Sequence, residues 1–275
     1  MRIGGSTRLL ALLGDPTAHS LSPVMHNAAI TALGLDAVYV ALRVPAAAFP
    51  DTLTALGALG VAGNVTVPLK GAAERCVARK TDLCARAGAC NTFWVEQGAL
   101  VGDNTDVPAI AAEVADLGVS SGGGRWLLLG TGGSARAVVV AAADARAELV
   151  VRSRDAARGR GLVDWATSMG ARAQLAEAPL TADVIVNATP LGMNGDDPLP
   201  IDPGSVRDLR GVLDLVYHRG ETRWVREQRR RGAVARDGRG VLVRQGALAW
   251  SRFFPDHPPP VEIMRAAVEL SLIHI

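Results

Sequence analysis

Short apolar runs alternate with longer amphipathic stretches in the first part of the chain. The runs at Leu9–Gly14, Ala37–Val44 and Ala62–Val67 predict strands. A helix is expected to begin near Ser22-Pro23, because serine suits a helix cap and proline suits the first turn. A second helix is predicted over Phe49–Leu59. Strands that alternate with helices in this way favour a mostly parallel sheet.

The same alternation continues after a stretch rich in serine and glycine at residues 120–124, which we expect to be a loop between two units. The elements predicted beyond it are a strand, an alanine-rich helix and three more strands: Trp126–Leu129, Ala135–Ala145, Ala147–Val151, Val184–Asn187 and Val212–Val216. The last two strands end in polar loops, at residues 187–190 and 217–220. Open α/β sheets bind ligands at the carboxyl ends of their strands, so these loops are expected to face a cofactor.

Other segments predict a hairpin and further helices. Asn91–Val95 and Leu100–Val101 flank Gln97-Gly98, a dipeptide typical of a tight turn. The C-terminal part predicts two helices, over Leu242–Trp250 and Pro260–Leu272. Their periodicity does not decide which unit they pack against.

The composition excludes several classes of protein. Of the 275 residues, 49% are hydrophobic and 4% aromatic, so the core is expected to be aliphatic and rich in alanine. The net charge of +2 is too small to indicate a nucleic-acid-binding protein. No apolar run reaches membrane-spanning length. Cys76, Cys84 and Cys90 fit no common zinc spacing and are typical of free thiols in a reducing compartment. We therefore expect a cytoplasmic protein without a metal, nucleic-acid or membrane partner.

A glycine-rich turn after Trp126–Leu129 is the main candidate for a cofactor site. Gly130 and Gly132 allow the backbone to approach a pyrophosphate, and Ala135 supplies a small residue where helix meets strand. Gly133 and Ser134 would begin a helix whose free N–H groups suit phosphate oxygens. The order of strand, turn, helix and strand predicts a dinucleotide-binding unit.

The residues after the next strand indicate which dinucleotide binds. A site for NAD(H) usually carries Asp or Glu about 20 residues after the first glycine. Here the strand is followed by Arg152, Ser153 and Arg154. Two guanidinium groups and a hydroxyl suit a 2′-phosphate, so the sequence predicts NADP(H). Two alternatives remain: a glycine-rich turn that binds nothing, and a basic run that is only the solvated start of a helix.

The first unit carries many small polar residues at predicted loops and strand ends. Ser20 and Ser22 lie near a helix start, and Asn64 and Thr66 alternate with valines, so they are predicted to share one face of a strand. Others of the set are Lys70, Asn91 and Asp106. Such groups suit a small polyhydroxylated ligand with a carboxylate.

Each of these residues also has a structural interpretation. Ser22 and Asp106 would serve as helix caps, Asn91 as a turn residue, and Lys70 as an exposed surface lysine. All of these residues occur together, upstream of a predicted dinucleotide unit. This favours a ligand site over the separate structural roles.

With these motifs the chain resembles the shikimate dehydrogenase family. The matching segments occur in order: Ser20–Pro23, His26-Asn27, Asn64–Lys70, Gly88–Thr92, Asp103–Asp106, Gly130–Arg136, Asn187–Met193, Asp214–Tyr217 and Gln245-Gly246. The resemblance implies an α/β protein of two domains. Residues 1–107 would form an N-terminal substrate-binding domain with a mostly parallel sheet, to which C-terminal helices at 238–275 return. Residues 108–237 would form a Rossmann-like NADP domain.

The resemblance also implies an activity and its residues. The reaction would be the reversible reduction of 3-dehydroshikimate to shikimate by NADPH, a step in the biosynthesis of chorismate and aromatic amino acids. The catalytic pair maps to Lys70 and Asp106. The substrate ligands map to Ser20, Ser22, Asn64, Thr66, Lys70, Asn91, Asp106, Tyr217 and Gln245. The cofactor ligands map to Gly130, Gly132, Gly133, Ser134, Ala135, Arg152, Ser153, Arg154, Thr189, Pro190, Met193 and Gly238.

Other functions stay open at this point. One is a quinate/shikimate or aminoshikimate dehydrogenase of the same superfamily. An acid at position 152 would have supported a quinate enzyme that uses NAD, so Arg152 argues against it. Another is a catalytically silent sensor of NADP or a metabolite, against which the presence of Lys70 and Asp106 argues. The chain is expected to be a monomer or a homodimer, and a small-molecule substrate is its only expected partner.

Overall fold

The computed structural model describes residues 3–118, 123–218 and 220–273. Most of the loop predicted at residues 120–124, and Arg219 of the loop predicted at 217–220, lie outside the described residues. The chain divides into two compact units. Unit 1 contains residues 1–105 and 242–275, and unit 2 contains residues 106–241. Each unit is described by itself.

Unit 1 is built around a six-stranded sheet with the strand order β2-β1-β3-β5-β6-β4. Its elements before the C-terminal helices are β1 (Arg8–Gly14), α1 (Ser22–Ala32), β2 (Ala37–Arg43), α2 (Phe49–Ala58), β3 (Ala62–Val65), α3 (Lys70–Cys76), β4 (Arg79–Lys80), α4 (Asp82–Ala87), β5 (Thr92–Glu96) and β6 (Ala99–Asp103). Strand β1 pairs in parallel with β2 and β3, and β4 pairs in parallel with β6. Strand β5 is antiparallel to both of its neighbours.

The predicted hairpin is confirmed as β5 and β6, whose register runs from Thr92↔Asp103 to Glu96↔Ala99. Gln97 and Gly98 form its turn with φ angles of 52° and 76°. Two residues of positive φ between paired strands match the right-handed twist of a hairpin.

Two local predictions in unit 1 are wrong. Strand β3 ends at Val65 and not at Val67, because Pro68 has no N–H for the ladder and Leu69 N closes a turn onto Thr66 O at 2.9 Å. Ser22 is the first residue of α1 and not its cap, which is Leu21. The Ser22 N–H instead donates to Ser20 Oγ at 3.2 Å. Strand β4 and helix α4 were not predicted, since both are short and carry little periodicity.

Unit 2 contains a fully parallel six-stranded sheet with the strand order β14-β13-β11-β7-β8-β9. Its elements are α5 (Asp106–Ala115), β7 (Arg125–Leu129), α6 (Gly133–Asp144), β8 (Glu148–Arg152), α7 (Ala156–Ser168), β9 (Arg172–Leu175), β10 (Leu180–Thr181), β11 (Val184–Asn187), β12 (Val206–Arg207), β13 (Gly211–Asp214), α8 (Arg223–Arg230) and β14 (Val234–Arg236). Strands β10 and β12 form a separate parallel pair. The order is that of a doubly wound dinucleotide-binding sheet, whose switch point lies between β7 and β11.

The chain ends in two helices, α9 (Arg239–Phe253) and α10 (Val261–Ile273). Helix α10 packs against α1, so the C-terminal helices return to the first unit. The predicted α/β fold of two units is thereby confirmed. Helix α9 begins before the predicted Leu242, so Gln245 lies inside the helix and does not open it. None of the described helices is long and apolar enough to cross a membrane.

Candidate functional site

The glycine turn follows the central strand of unit 2. Gly130 has a φ of +105°, and a Cβ there would lie 2.9 Å from the carbonyl oxygen of Ala188. Both the backbone conformation and the close approach exclude other residues at this position. The loop after β11 therefore packs directly on the turn after β7.

Gly132 is a glycine that the protein's own packing does not require. It is the N-cap of α6 with a φ of −81°, which any residue can adopt. A Cβ at Gly132 would have no atom within 4 Å. A bare backbone facing open space at a helix N-terminus fits a phosphate that approaches closely. Ala135 is fully buried where the helix meets the sheet. The turn thus fits a dinucleotide pyrophosphate.

Arg152 is brought beside this turn by a backbone bond, since Gly130 N donates to Arg152 O at 3.0 Å. Its side chain and that of Arg154 are exposed. Within the described residues, neither guanidinium group has a hydrogen bond or ion pair. Ser153 Oγ accepts from Asp155 N at 3.2 Å. Asp155 in turn caps α7, accepting from the N–H groups of residues 157 and 158. Two unengaged cations beside a phosphate turn suit a 2′-phosphate.

A buried pair of side chains shapes the loops after β11 and β13. Asn187 Nδ2 donates to Asp214 Oδ1 at 2.8 Å, and both residues are fully buried. Burial raises the pKa of Asp214 to about 6, an effect that its bonds from Asn187, Thr222 and the Val216 N–H only partly offset. Asn187 and Asp214 belong to the motifs recognised in the sequence, but no role was predicted for them.

The loop after β11 carries three predicted cofactor ligands. Thr189 is half-buried, Pro190 is exposed, and the Met193 side chain is 49% exposed. Gly192 N and Asn194 N both donate to Asp197 Oδ2, at 3.1 and 2.9 Å, which closes the far end of this loop.

Gly238 lies against the loop that follows β13. A Cβ there would come within 2.3 Å of Leu215 O and 3.2 Å of Tyr217 Cδ1. Gly238 N also donates to Val216 O at 3.1 Å. A side chain at position 238 would therefore collide with the backbone of Leu215 and press on the Tyr217 ring. This contact accounts for the glycine without a cofactor.

Unit 1 brings together several predicted substrate ligands in a buried polar network. Asn64 Nδ2 donates to Asn91 O at 3.1 Å and to Thr92 Oγ1 at 3.0 Å. Asn91 Oδ1 accepts from Thr105 N at 2.8 Å. Asn91 Nδ2 donates to Thr105 Oγ1 at 3.0 Å. Thr92 and Thr105 were not predicted as site residues, although both occur in the recognised motifs.

Tyr39 supports this network from β2. Its hydroxyl donates to Asn64 Oδ1 at 2.8 Å. The Asn27 side chain holds the backbone of Tyr39 through two bonds, and His26 stacks on its ring at 4.5 Å. Complete burial lowers the pKa of His26 to about 3, so its imidazole is neutral near pH 7. The pair His26-Asn27 therefore acts on the network through Tyr39.

Gln245 reaches the same network from α9. Its Oε1 lies 3.5 Å from Asn91 Nδ2, and its Nε2 donates to Leu242 O at 2.9 Å. The side chain is 9% exposed. The structure thus places Gln245 beside Asn91 within unit 1.

Lys70 is buried and not an exposed surface lysine, since it is only 8% exposed. It begins α3, and its carbonyl oxygen accepts a hydrogen bond of 2.8 Å from the N–H of Cys90. Cys90 directly precedes Asn91 in the chain. Thr66 and Ser20 are half-buried, and Ser22 is 6% exposed. Asp106 belongs to unit 2, where it is the first residue of α5.

Two family models match parts of the chain. The shikimate dehydrogenase substrate binding domain matches residues 12–93. The shikimate 5'-dehydrogenase C-terminal domain matches residues 238–269.

Curated relatives and solved structures match nearly the whole chain. The shikimate dehydrogenase (NADP+) of Rubrobacter xylanophilus is 41% identical over 277 residues, which cover 97% of each chain. That of Methanothrix thermoacetophila is 39% identical and covers 96% of this chain and 98% of its own. The crystal structure of shikimate 5-dehydrogenase from Thermus thermophilus in complex with NADP(H) and shikimate is 33% identical. It covers 96% of this chain and 99% of its own, with a TM-score of 0.85. By this similarity over nearly its full length, the chain belongs to the shikimate dehydrogenase family.

Proposed function

We propose that this protein catalyses the reversible, NADPH-dependent reduction of 3-dehydroshikimate to shikimate, a step of chorismate and aromatic amino acid biosynthesis. The observation that carries the proposal is the buried array of amide and hydroxyl groups formed by Asn64, Asn91, Thr92 and Thr105 in unit 1. A set of fixed donors and acceptors suits a ligand with several hydroxyl groups. Family membership supports the same activity.

Unit 2 would hold NADP(H). Gly130 to Ala135 would receive the pyrophosphate, and Arg152, Ser153 and Arg154 the 2′-phosphate. The loop with Thr189, Pro190 and Met193, together with Gly238, completes the proposed cofactor ligands. NADPH supplies the hydride, and the protein orients the reactants and manages a proton.

Lys70 and Asp106 are the proposed acid–base pair. Reduction of a ketone builds negative charge on its oxygen, which the Lys70 ammonium group would stabilise and protonate. The proposed role of Asp106 is to orient the lysine and to share in the transfer of the proton. The half-buried or buried side chains of Ser20, Ser22, Thr66 and Gln245 would orient the substrate, and so would Tyr217.

The remaining parts of the proposal concern the state and location of the protein. The free thiols of Cys76, Cys84 and Cys90 support a reducing compartment, and the cytoplasm is the proposed location. A monomer or homodimer is the proposed assembly, which light scattering after size-exclusion chromatography would determine.

The test is a spectrophotometric assay of shikimate and quinate, each with NADP+ and with NAD+. We expect the highest kcat/KM for shikimate with NADP+. A preference for quinate with NAD+ would favour the related quinate dehydrogenase. Binding of NADPH without turnover of either substrate would favour a sensor and refute the proposed activity.

A further inference from the structure

Three neighbouring strands of unit 2 end at the same edge of the sheet. Asn187, the last residue of β11, pairs with Asp214, the last residue of β13, and with Leu129, the last residue of β7. Gly130 of the phosphate turn follows Leu129 directly. Side chains at this edge are therefore placed to control the loops that receive a ligand.

Asp214 is the anchor of a hydrogen-bond relay at this edge. Its Oδ1 accepts from Asn187 Nδ2 at 2.8 Å and from Val216 N at 3.1 Å, and its Oδ2 accepts from Thr222 Oγ1 at 2.9 Å. Asp214, Asn187 and Thr222 are all fully buried. An unpaired buried group costs more than its bond contributes, so these bonds hold Asn187 in a fixed orientation.

Asn187 connects Asp214 to the loop that follows β11. Its Oδ1 accepts from both Thr189 N and Thr189 Oγ1, at 3.0 and 2.7 Å, and its Nδ2 also donates to Leu191 O at 3.2 Å. Thr189 Oγ1 then accepts from Leu191 N at 3.2 Å. The conformation of residues 189–191 thus depends on the side chain of Asn187.

The same loop is in contact with the phosphate turn. The atoms nearest to a Cβ built on Gly130 are Ala188 O and C, at 2.9 and 3.0 Å, and Thr189 Cγ2, at 3.1 Å. A shift of Thr189 would therefore also change the surface on which the turn rests.

We propose that Asp214 and Asn187 are positioning residues that hold Thr189 and Pro190 in the place where they contact the dinucleotide. The inference rests on the proposed function, since it assigns the loop to that cofactor. The part of the ligand concerned is common to NADP(H) and NAD(H), because the relay lies on β11 and β13, whereas Arg152 lies on β8. Neither residue is a ligand itself.

The relay needs an acceptor at Oδ1 of residue 214 more than it needs a charge. When the carboxyl group is protonated at Oδ2, its proton can be donated to Thr222 Oγ1 after rotation of that hydroxyl. Both bonds to Oδ1 are then retained. An asparagine at position 214 can do the same with its amide nitrogen. The negative charge of Asp237 adds to the effect of burial and raises the pKa of Asp214.

The test compares Asp214→Ala and Asn187→Ala with Asp214→Asn in the full chain. Dissociation constants of NADPH and NADH are measured by cofactor fluorescence, together with Tm and the KM for shikimate. Because each alanine variant removes a side chain on which the position of Thr189 and Pro190 depends, it is predicted to weaken both cofactors by the same factor, about tenfold. The KM for shikimate is expected to stay within about twofold, and Asp214→Asn to bind both cofactors within about threefold of wild type.

Asn194→Ala is the matched control, since this exposed asparagine lies in the same loop but outside the relay. It is expected to bind both cofactors like wild type. If the alanine variants do not fold, Thr189→Val removes only the two bonds of the Thr189 hydroxyl, those with Asn187 Oδ1 and Leu191 N, and keeps the buried pair. About a fivefold loss for both cofactors is then expected.

Wild-type cofactor affinity in both Asp214→Ala and Asn187→Ala would overturn the proposal, and so would a loss confined to NADPH. Failure of Asp214→Asn to restore binding would also overturn it, because charge would then be required. Binding is measured without substrate, so these outcomes are independent of whether the protein oxidises shikimate.

Discussion

The hydroxyl group of Tyr39 donates a hydrogen bond of 2.8 Å to Oδ1 of Asn64, across 25 positions of sequence. Both amide hydrogens of Asn64 are already donated to Asn91 O and Thr92 Oγ1. Asn64 can therefore offer a ligand only the remaining lone pair of its oxygen. We therefore predict that Asn64 accepts a hydrogen bond from a substrate hydroxyl, in the orientation that Tyr39 helps to hold.

Tyr39→Phe removes this bond and leaves the Asn64 oxygen buried without that donor. An unsatisfied buried acceptor costs about 1–3 kcal/mol. We expect the free energy of unfolding to fall by about that amount and the KM for shikimate to rise roughly tenfold. Urea unfolding and steady-state kinetics measure the two effects. An unchanged KM for shikimate would show that Asn64 does not contact the substrate through this oxygen.

Lys70→Ala is expected to lower kcat about 10²–10⁴-fold, the range of general acid–base groups. The fold and NADPH affinity should persist, which circular dichroism and cofactor fluorescence would show. Lys80→Ala is the matched control, because Lys80 is exposed and pairs with Glu74, outside the proposed site. A Lys70 variant that turned over within a few-fold of wild type would remove this lysine from the mechanism.

Arg152→Ala is expected to raise the KM for NADP+ about ten- to hundredfold, because charge-assisted hydrogen bonds to the 2′-phosphate are lost. The KM for NAD+, which has no such phosphate, should barely change. Arg154 would limit the effect, so the double variant should lose more. Arg160→Ala, an exposed arginine inside α7, controls for net charge. Equal weakening of both cofactors would assign Arg152 to the fold.

The raised pKa of Asp214 predicts a pH-dependent stability. Its folded-state pKa of about 6 lies above the ordinary 3.8. Its contribution to stability is therefore complete below about pH 4 and is lost as the pH rises through 6. A pKa difference of roughly 2 corresponds to about 3 kcal/mol.

Asp214→Asn cannot titrate, and the other carboxylates cancel in the comparison. We therefore expect the free energy of unfolding of the variant, minus that of wild type, to increase by about 3 kcal/mol between about pH 4 and pH 7. Urea unfolding at a series of pH values measures it. A difference that is constant with pH would mean that Asp214 titrates normally.

Local signals in the sequence predicted most of the strands and several of the long helices, although not α7. The phosphate turn was recognised because its glycines, strand and helix are contiguous in the chain. The same local reasoning failed at Ser22, which has the residue type of a cap but lies inside α1. It failed again at the start of α9, because Gly240 disfavours a helix locally although the helix begins at Arg239.

The candidate site was predicted as a set of residues and not as an arrangement. Ordered motifs indicated Asn64, Asn91 and Gln245 through their resemblance to a family. They did not indicate that Tyr39 holds Asn64 or that Asp214 holds Asn187, since neither pair has a periodic or adjacent spacing. Asn91 and Gln245 are 154 positions apart.

By itself the sequence determined the α/β class, and it predicted the dinucleotide turn and the arginines expected at a 2′-phosphate, because each depends on residues that are neighbours in the chain. Local patterns did not decide which unit the C-terminal helices pack against, and only the tertiary structure decided which buried polar groups pair. A buried amide or carboxylate is stable only when all its partners come together, and those partners are supplied by strands far apart in sequence.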